Sequence, residues 1–235
     1  MRRIYDDERM LVAGFIGGTL SKDFGNAREP QTAKKIFNDL YLPQDKMLGL
    51  KQEHTDTIIS ITTEEELAAY KAQKEHVADA WLIGLNNTGA MILTADCVPL
   101  FLWDENGKYI GLAHCGWRGI VKKLPQKLAR LIKAKDKEAK LIAYIGPHIE
   151  KCCFEVKEDV ASQFSKESRI EKDGKIFVDL TKEIVLQLIS EGVDPLKIKR
   201  GCHCTCTCCN AQDFFSFRRT KQKDSLMSFI YKIGR

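Results

Sequence analysis

A cysteine in TADCVPL, residues 94–100, and a histidine in AHCGWRG, residues 113–119, are separated by two apolar runs and the stretch DENG. An Asn-Gly step flanked by alternating apolar residues is a strong short-range hairpin signal. If the turn closes over Glu105-Asn106, position 97 stands opposite position 114. If it closes over Asn106-Gly107, position 99 does, and 97 becomes a diagonal neighbour. Either way Cys97 and His114 share a face, because only an odd-length loop would flip one set of side chains. A thiolate and an imidazole on adjacent strands are good zinc ligands, and the same pair could serve as nucleophile and base.

A hairpin offers only two ligands. His54, in the strand-like LKQEHTDT and between polar neighbours, is the natural third donor. Three protein ligands leave a fourth tetrahedral position open, the pattern of a catalytic rather than a structural zinc. Of the remaining histidines, His76 follows a solvated helix and reads as a surface residue, and His148 in IGPHIE reads as a loop residue with a packing role.

The segment GCHCTCTCCN, residues 201–210, packs five of the nine cysteines into ten positions. Cys202, Cys204, Cys206 and Cys208 alternate, so an extended chain points them all to one face and His203 to the other. Same-face neighbours on a strand lie about 6 to 7 Å apart, too far for one ion. The C-x2-C pair Cys206 and Cys209 has no second such pair in sequence to complete a zinc knuckle. Free cysteine behaves as a small hydrophobe, so a buried strand face is the expectation.

The elements that must hold these groups alternate between strand and helix periods. QTAKKIFNDL reads as a helix, MLGLKQEHTDTIISIT as strand, and Thr63 with Glu66 as a capping box for a helix to about Glu75. AMILTADCVPLFLW is the most strand-like passage, KYIGLAH its partner. A helix follows GWRG and restarts at Pro125, LIAYIG is a strand, and a helix follows Asp179 with Ile184, Val185, Leu188 and Ile189 on one face and a stop at Gly192. Gly17-Gly18 marks a turn or a close backbone approach. Several hairpin-like links argue for an α+β fold, with mixed β-sheets covered by helices in a single compact domain over residues 1–235.

Bulk properties narrow the class of function. With 44% apolar and 29% charged residues the chain can bury a substantial core. No apolar run reaches the roughly 18 residues of a membrane span, and MRRIYDDERM is not a signal peptide, so a soluble, cytoplasmic protein is expected. Nine clumped cysteines in a chain of this size fit reduced thiols rather than a secreted disulfide framework. The net charge of +5 is dispersed and lacks interleaved aromatics, which argues against nucleic acid but leaves room for a small anion.

Together QEH (52–54), TADCVPL, AHCGWRG, IGPHIEKCCFEV (145–156) and FFSFRR (214–219) resemble the multicopper polyphenol oxidase (laccase) domain family, whose members have been reclassified as zinc-dependent purine nucleoside phosphorylases with adenosine deaminase activity. The likeness runs from about Gly14 to the C-terminus in the family's motif order. It implies a Zn2+ site on His54, Cys97 and His114, the three residues of the hairpin argument, and it leaves the cysteine-rich segment outside the ligand set. Where the family usually has Thr-Arg before the Gly-Gly turn, this chain has Gly14-Phe15, so an arginine able to bind an anion is missing. The family's QxHG reads QEHT, and the Gly-Arg that tends to follow the RR motif is absent.

The activity this implies is phosphorolysis of adenosine or inosine, with methylthioadenosine as a further candidate, to free base and ribose 1-phosphate, accompanied by adenosine deamination. Purine nucleosides and phosphate are the partners, and a monomer or small homo-oligomer is the expected assembly. Arg118, one turn after His114 at a helix start, is the favoured anion holder and a catalytic candidate; Asp96, adjacent to Cys97, is the other, with acid–base work or, since a regular strand turns it away from the metal, a structural role open to it. Arg218, Arg219 and Asn26 are the substrate-binding candidates, and Glu53 and Glu155 the candidates for proton transfer. One rival is a hydrolase or amidase acting on cell-wall precursors with Cys97 as nucleophile and His114 as base. A second is a copper polyphenol oxidase (laccase), which five histidines can hardly supply with its multi-histidine cluster.

Overall fold

The structure is a computed structural model describing residues 1–201 and 206–234. Two sheets lie face to face. In the six-stranded one the order is Ile198–Arg200, Leu141–Ile145, Val98–Asp104, Ile110–Cys115, Ala80–Ile83 and Ile58–Ile61. Its two outer pairings are parallel and its inner ones antiparallel, as expected for a mixed sheet. The five-stranded sheet has the order Ile4–Tyr5, Phe15–Leu20, Leu226–Lys232, Thr88–Thr94 and Met47–Leu48. A small third sheet gathers Glu155–Val156, Lys175–Val178 and Arg169–Lys172.

The period-2 alternation of the central strand explains the layering. All of Val98–Asp104 is buried. Phe101 and Trp103 point into the space between the sheets, where they meet Trp81, Ile83, Ile110 and Leu112 from their own sheet and Phe15, Ile92 and Ile230 from the other. Val98, Leu100 and Leu102 point the opposite way, beneath the helices Leu124–Lys135 and Leu180–Ser190. Removing a tryptophan of the size of Trp81 or Trp103 from water is worth roughly 4 to 6 kcal/mol as an upper bound. The outer face of the five-stranded sheet, with Leu20 and Phe229, is covered by the helix Pro30–Asp39 through Ile36 and Phe37. Helix, sheet, sheet and helix therefore stack as an α+β arrangement. Among the described residues, no helix is long and apolar enough to cross a membrane.

Three departures from the sequence reading shape the site. AMILTADCVPLFLW is two strands in different sheets, Thr88–Thr94 and Val98–Asp104, and the chain steps between them at Ala95–Cys97 with Asp96 at φ +93°. MLGLKQEHTDTIISIT is likewise two short strands, Met47–Leu48 and Ile58–Ile61, one in each sheet, joined by a crossing loop that carries His54. Finally, DENGKY is no two-residue turn: the Asp104 carboxylate accepts from the backbone N–H of Asn106 and Tyr109 and organises a longer loop. The pairing is still that of closure over Asn106-Gly107, because Pro99 stands opposite His114.

Helix boundaries follow the local chemistry. The helix Glu64–Lys71 is capped by Thr63 Oγ1, which accepts from Glu66 N at 3.2 Å, while the Glu66 carboxylate returns to Thr62 rather than to Thr63. It ends four residues before Glu75. In Leu180–Ser190 the buried positions are Leu180, Glu183, Ile184, Gln187 and Leu188; Ile189 is 39% exposed and Val185 half-buried, so the apolar stripe is rotated from the predicted one. Gly17 allows close approach, since a Cβ there would lie 2.7 Å from the Phe229 carbonyl on the neighbouring strand.

Candidate metal centre and its cleft

Both sheet-crossing loops converge on one point. Gln52 secures the first: its amide Nε2 donates to the Leu93 carbonyl at 2.8 Å and its Oε1 accepts from Leu93 N at 2.7 Å, replacing the strand neighbour that Leu93 lacks. Asp79, fully buried, secures the rest of the loop. Its carboxylate accepts from the backbone N–H of Glu53, His54 and Thr55 at 3.3, 3.1 and 2.5 Å and from Thr55 Oγ1 at 2.7 Å. These bonds wrap the loop around the carboxylate, with His54 at φ +58°.

The second loop delivers Cys97, and the strand Ile110–Cys115 delivers His114. Cys97 Sγ lies 3.7 Å from His54 Nε2, and the three ligand atoms of His54, Cys97 and His114 lie within 4.8 Å of one another. The rings of His54 and His114 meet edge-on, with centroids 4.9 Å apart at 70°. His114 Nδ1 is 2.7 Å from Asp79 Oδ1; the carboxylate can only accept, so Nδ1 carries the hydrogen and Nε2 is left to face a metal. Gly116 makes this approach possible. A Cβ at that position would stand 2.4 Å from His54 Cδ2 and 3.3 Å from Cys97 Sγ.

The electrostatics of the three side chains are strongly coupled. Burial pushes the Cys97 thiol up, but the charge of His114 and the hydrogen bonds from His114 and His54 outweigh it and bring it down to about 6. Burial likewise works against the His114 imidazolium, yet the Cys97 charge and the Asp79 hydrogen bond raise it to about 9. Asp79 is pushed up by burial and pulled further down by its bonds to His114 and Thr55, so it stays ionised. Without a metal, the site is thus a thiolate–imidazolium pair anchored by a carboxylate.

The three candidate ligands open into a cleft of about 660 Å³. Arg118 lines it, stacked 4.4 Å over the Trp117 ring and making no ion pair among the described residues. Among the described residues Asp96 is the one carboxylate in the lining; its Oδ1 accepts from Thr207 Oγ1 at 2.7 Å and its Oδ2 from Arg218 N at 2.6 Å. Arg218 also lines the cleft, with its guanidinium directed to the Cys153 and Glu155 carbonyls.

Other candidates sit elsewhere. The Arg219 guanidinium is spent on the carbonyls of Thr207, Cys208 and Phe214 and is absent from the lining. Asn26 is also outside it, holding Asp224, Ser225 N and Arg28 N. Glu53 pairs with Lys51 and Glu155 with Lys175, both outside the lining. His76 stacks on Tyr70 with centroids 3.9 Å apart, and His148 is buried between the Gly146 carbonyl and Thr181 Oγ1. Sequence reasoning missed Arg28, Lys51 and Lys223, three further cations of the lining, and Asp79, whose one signal was a lone acid ahead of the apolar run AWLI.

The profile of the family described as multi-copper polyphenol oxidoreductase laccase matches residues 26–232. The chain belongs to this family. It is 37% identical over 196 residues to a protein of Clostridium acetobutylicum named purine nucleoside phosphorylase, spanning 78% of this chain and 75% of that one. To a protein of Escherichia coli with the same name it is 28% identical over 209 residues, spanning 86% and 80%. Among solved structures it resembles YlmD from Geobacillus stearothermophilus, with a TM-score of 0.84 at 22% identity over 99% and 97% of the chains, and the Bacillus licheniformis hypothetical protein YfiH, with 0.80 at 22% over 94% and 93%. At that identity the likeness is one of fold.

Two departures from the laccase-domain pattern have local explanations. Thr55, in place of the family's glycine, uses its hydroxyl on Asp79. Phe15, in place of arginine, is fully buried between the sheets, edge-on to Trp103 at 5.4 Å, and takes no part in the cleft lining. The cysteine-rich segment is no strand face where it is described: Cys206 makes an isolated bridge with His148, residues 207–209 turn, and Cys209 is exposed. Cys202, His203 and Cys204 lie outside the described residues.

Proposed function

We propose that this laccase-domain protein is a zinc-dependent purine nucleoside phosphorylase with adenosine deaminase activity in the cytoplasm. The observation that carries the reading is the open set of three convergent donors, His54, Cys97 and His114, at a cleft lined by Arg28, Lys51, Arg118, Arg218 and Lys223; the name borne by the relatives supports it. The donor set fits zinc, whose three-ligand protein sites combine nitrogen and sulfur donors and keep a fourth position open. Bound there, zinc supplies Lewis-acid polarisation at neutral pH.

The chain's own residues divide the remaining work. Arg118, Arg28 and Lys223 hold phosphate beside the ribose and offset its charge, so no arginine is needed at position 15. Trp117, Phe154 and Phe217 offer flat faces to the purine. Asp96, oriented by Thr207 and Arg218 N, moves the proton that the departing base or amino group requires. Asp79 fixes the His114 tautomer, and Arg219 and Asn26 hold the loops that frame the cleft.

The test is a product assay on zinc-quantified protein given adenosine or inosine with and without phosphate. Free base and ribose 1-phosphate formed only with phosphate, and lost in Cys97→Ala, are expected, together with inosine from adenosine. A protein that makes neither product, with zinc bound, overturns the reading.

A second reading rests on the thiolate–imidazolium pair of Cys97 and His114, which is also the equipment of a cysteine hydrolase. Loss of one equivalent of zinc on Cys97→Ala excludes it, because a metal-bound thiolate is not a free nucleophile. The copper oxidase reading has no second histidine cluster among the described residues to support it.

A further inference from the structure

A second group of four sulfurs lies outside the cleft. Cys152 and Cys153 sit in a tight turn, in which Cys153 N and Phe154 N both donate to the Glu150 carbonyl at 2.9 Å. Cys206 and Cys209 sit in another, closed by Asn210 N donating to the Cys206 carbonyl at 2.9 Å. The partner for the C-x2-C pair is therefore a vicinal pair, Cys152 and Cys153, more than fifty residues away in sequence. A parallel bridge between His148 and Cys206, with Thr207 N donating to the His148 carbonyl, sets the two turns side by side.

The geometry is that of ligands around one ion. Cys152 Sγ lies 3.6 Å from Cys206 Sγ and 3.5 Å from Cys209 Sγ, Cys153 Sγ lies 3.2 Å from Cys209 Sγ, and all four sulfurs lie within 4.8 Å of one another. Four thiolates about 2.3 Å from a central zinc form a tetrahedron with edges of about 3.8 Å. A disulfide needs about 2.05 Å, and no pair of these sulfurs comes that close. Packing does not explain the cluster either. Cysteines that act as small hydrophobes are buried, whereas Cys152 and Cys209 are exposed and Cys153 half-buried. Glu150 N points at Cys206 Sγ at 3.5 Å, a donor placed to stabilise a thiolate.

Two arginines of one short helix tie this cluster to the cleft. Arg218 donates to the Cys153 carbonyl at 3.3 Å and Arg219 to the Cys208 carbonyl at 3.0 Å, so the helix Phe217–Thr220 bridges both cysteine turns and brings positive charge to them. Thr207, between Cys206 and Cys209, donates to Asp96, whose own carbonyl accepts from Ile149 N at 2.9 Å. Asp96 in turn precedes the ligand Cys97.

We infer that Cys152, Cys153, Cys206 and Cys209 form a second, structural metal site that takes a thiophilic d10 cation, Zn2+ above all. Four protein ligands leave it closed, in contrast to the open site in the cleft. Metal binding displaces the thiol protons and joins residues 150–156 to residues 206–219, which fixes the wall that carries Phe154, Arg218 and Asp96.

The deciding experiment is zinc quantification, with cobalt substitution, on four reduced full-length proteins: wild type, Cys97→Ala, Cys152→Ser with Cys209→Ser, and all three changes together. Wild type is expected to hold a second equivalent of zinc beyond the cleft's. Cys97→Ala should keep one equivalent and, with cobalt, show the intense sulfur-to-metal charge-transfer bands of a tetrahedral thiolate site. The double serine variant should keep the other equivalent and lose those bands. Folded Cys97→Ala protein without metal, or alkylation of all four cysteines by iodoacetamide in zinc-replete wild type, overturns the assignment. If the serine variants do not fold, Cys97→Ala still decides it, because its four-cysteine cluster is untouched.

Discussion

Asp79 Oδ1 accepts the hydrogen on His114 Nδ1 at 2.7 Å, while the other oxygen of the same carboxylate holds the loop that presents His54. One buried side chain thereby orients two of the three proposed ligands. Partners of this kind typically change metal affinity by about 10- to 100-fold. Asp79→Asn keeps the shape but places an N–H2 against donors that need an acceptor. A fall in zinc affinity in that range, measured by chelator competition, is the expected outcome, together with a loss of roughly 2 to 4 kcal/mol in denaturant unfolding from the unpaired donors. Unchanged affinity would show that the loop and His114 are positioned without it.

Gly116 separates metal binding from stability. Its φ is an ordinary −65°, so alanine there is not strained by backbone conformation. The obstacle is His54, 2.4 Å from the added Cβ. Gly116→Ala should therefore displace the His54 ring, reduce bound zinc and lower kcat/KM at least tenfold, with a melting temperature within a few degrees of wild type. A variant that retains full zinc and activity would mean that the loop relaxes at negligible cost.

The Cys97 thiol carries a pH signature in the metal-free protein. Burial alone would raise it above the ordinary value of about 8.5. The His114 charge reverses this and brings it to about 6. The thiolate is the reactive form, so alkylation of the Cys97 peptide by iodoacetamide, followed by mass spectrometry, should rise as pH climbs through about 6 and level off above it. In His114→Gln the midpoint should rise well above 6, since the largest influence opposing burial is removed and only His54 still holds the thiol down. Added zinc should protect Cys97 in wild type. A wild-type midpoint near 8.5 would falsify the ion pair.

How far the sequence reveals this site depends on how local each constraint is. The Cys97–His114 pairing could be read because strand alternation and the Asn-Gly signal fix a face even when the turn type is wrong: the actual loop is built by Asp104, but closure remains even-numbered. His54 could be named but not placed, because its left-handed φ and its crossing loop depend on Asp79, distant in sequence. Arg219 and Asn26 look like ligand-binding groups in sequence because a charge or amide does not say whether it faces a cleft or a carbonyl. The Cys152–Cys153 pair is not legible as half of a four-sulfur cluster, because only the parallel bridge at His148, a long-range contact, brings it to Cys206 and Cys209.

Arg118 and Arg219 should fail in different ways when truncated. Arg118 stacks on Trp117 at the cleft with no ion pair among the described residues, so it folds with an unspent charge. Removing a charge-assisted contact to phosphate should cost about 1.5 to 3 kcal/mol, or at least tenfold. Arg118→Ala is therefore expected to raise KM for phosphate by at least tenfold, to lower deamination much less, and to leave the melting temperature near wild type. Arg219 uses its donors on three carbonyls around the cysteine turn, a fork that lysine cannot reproduce. Arg219→Lys should mainly lower the melting temperature, with KM for phosphate little changed in the protein that remains folded. Phosphate kinetics and thermal melts on the two variants separate the roles, and the reverse pattern would assign the anion site to Arg219.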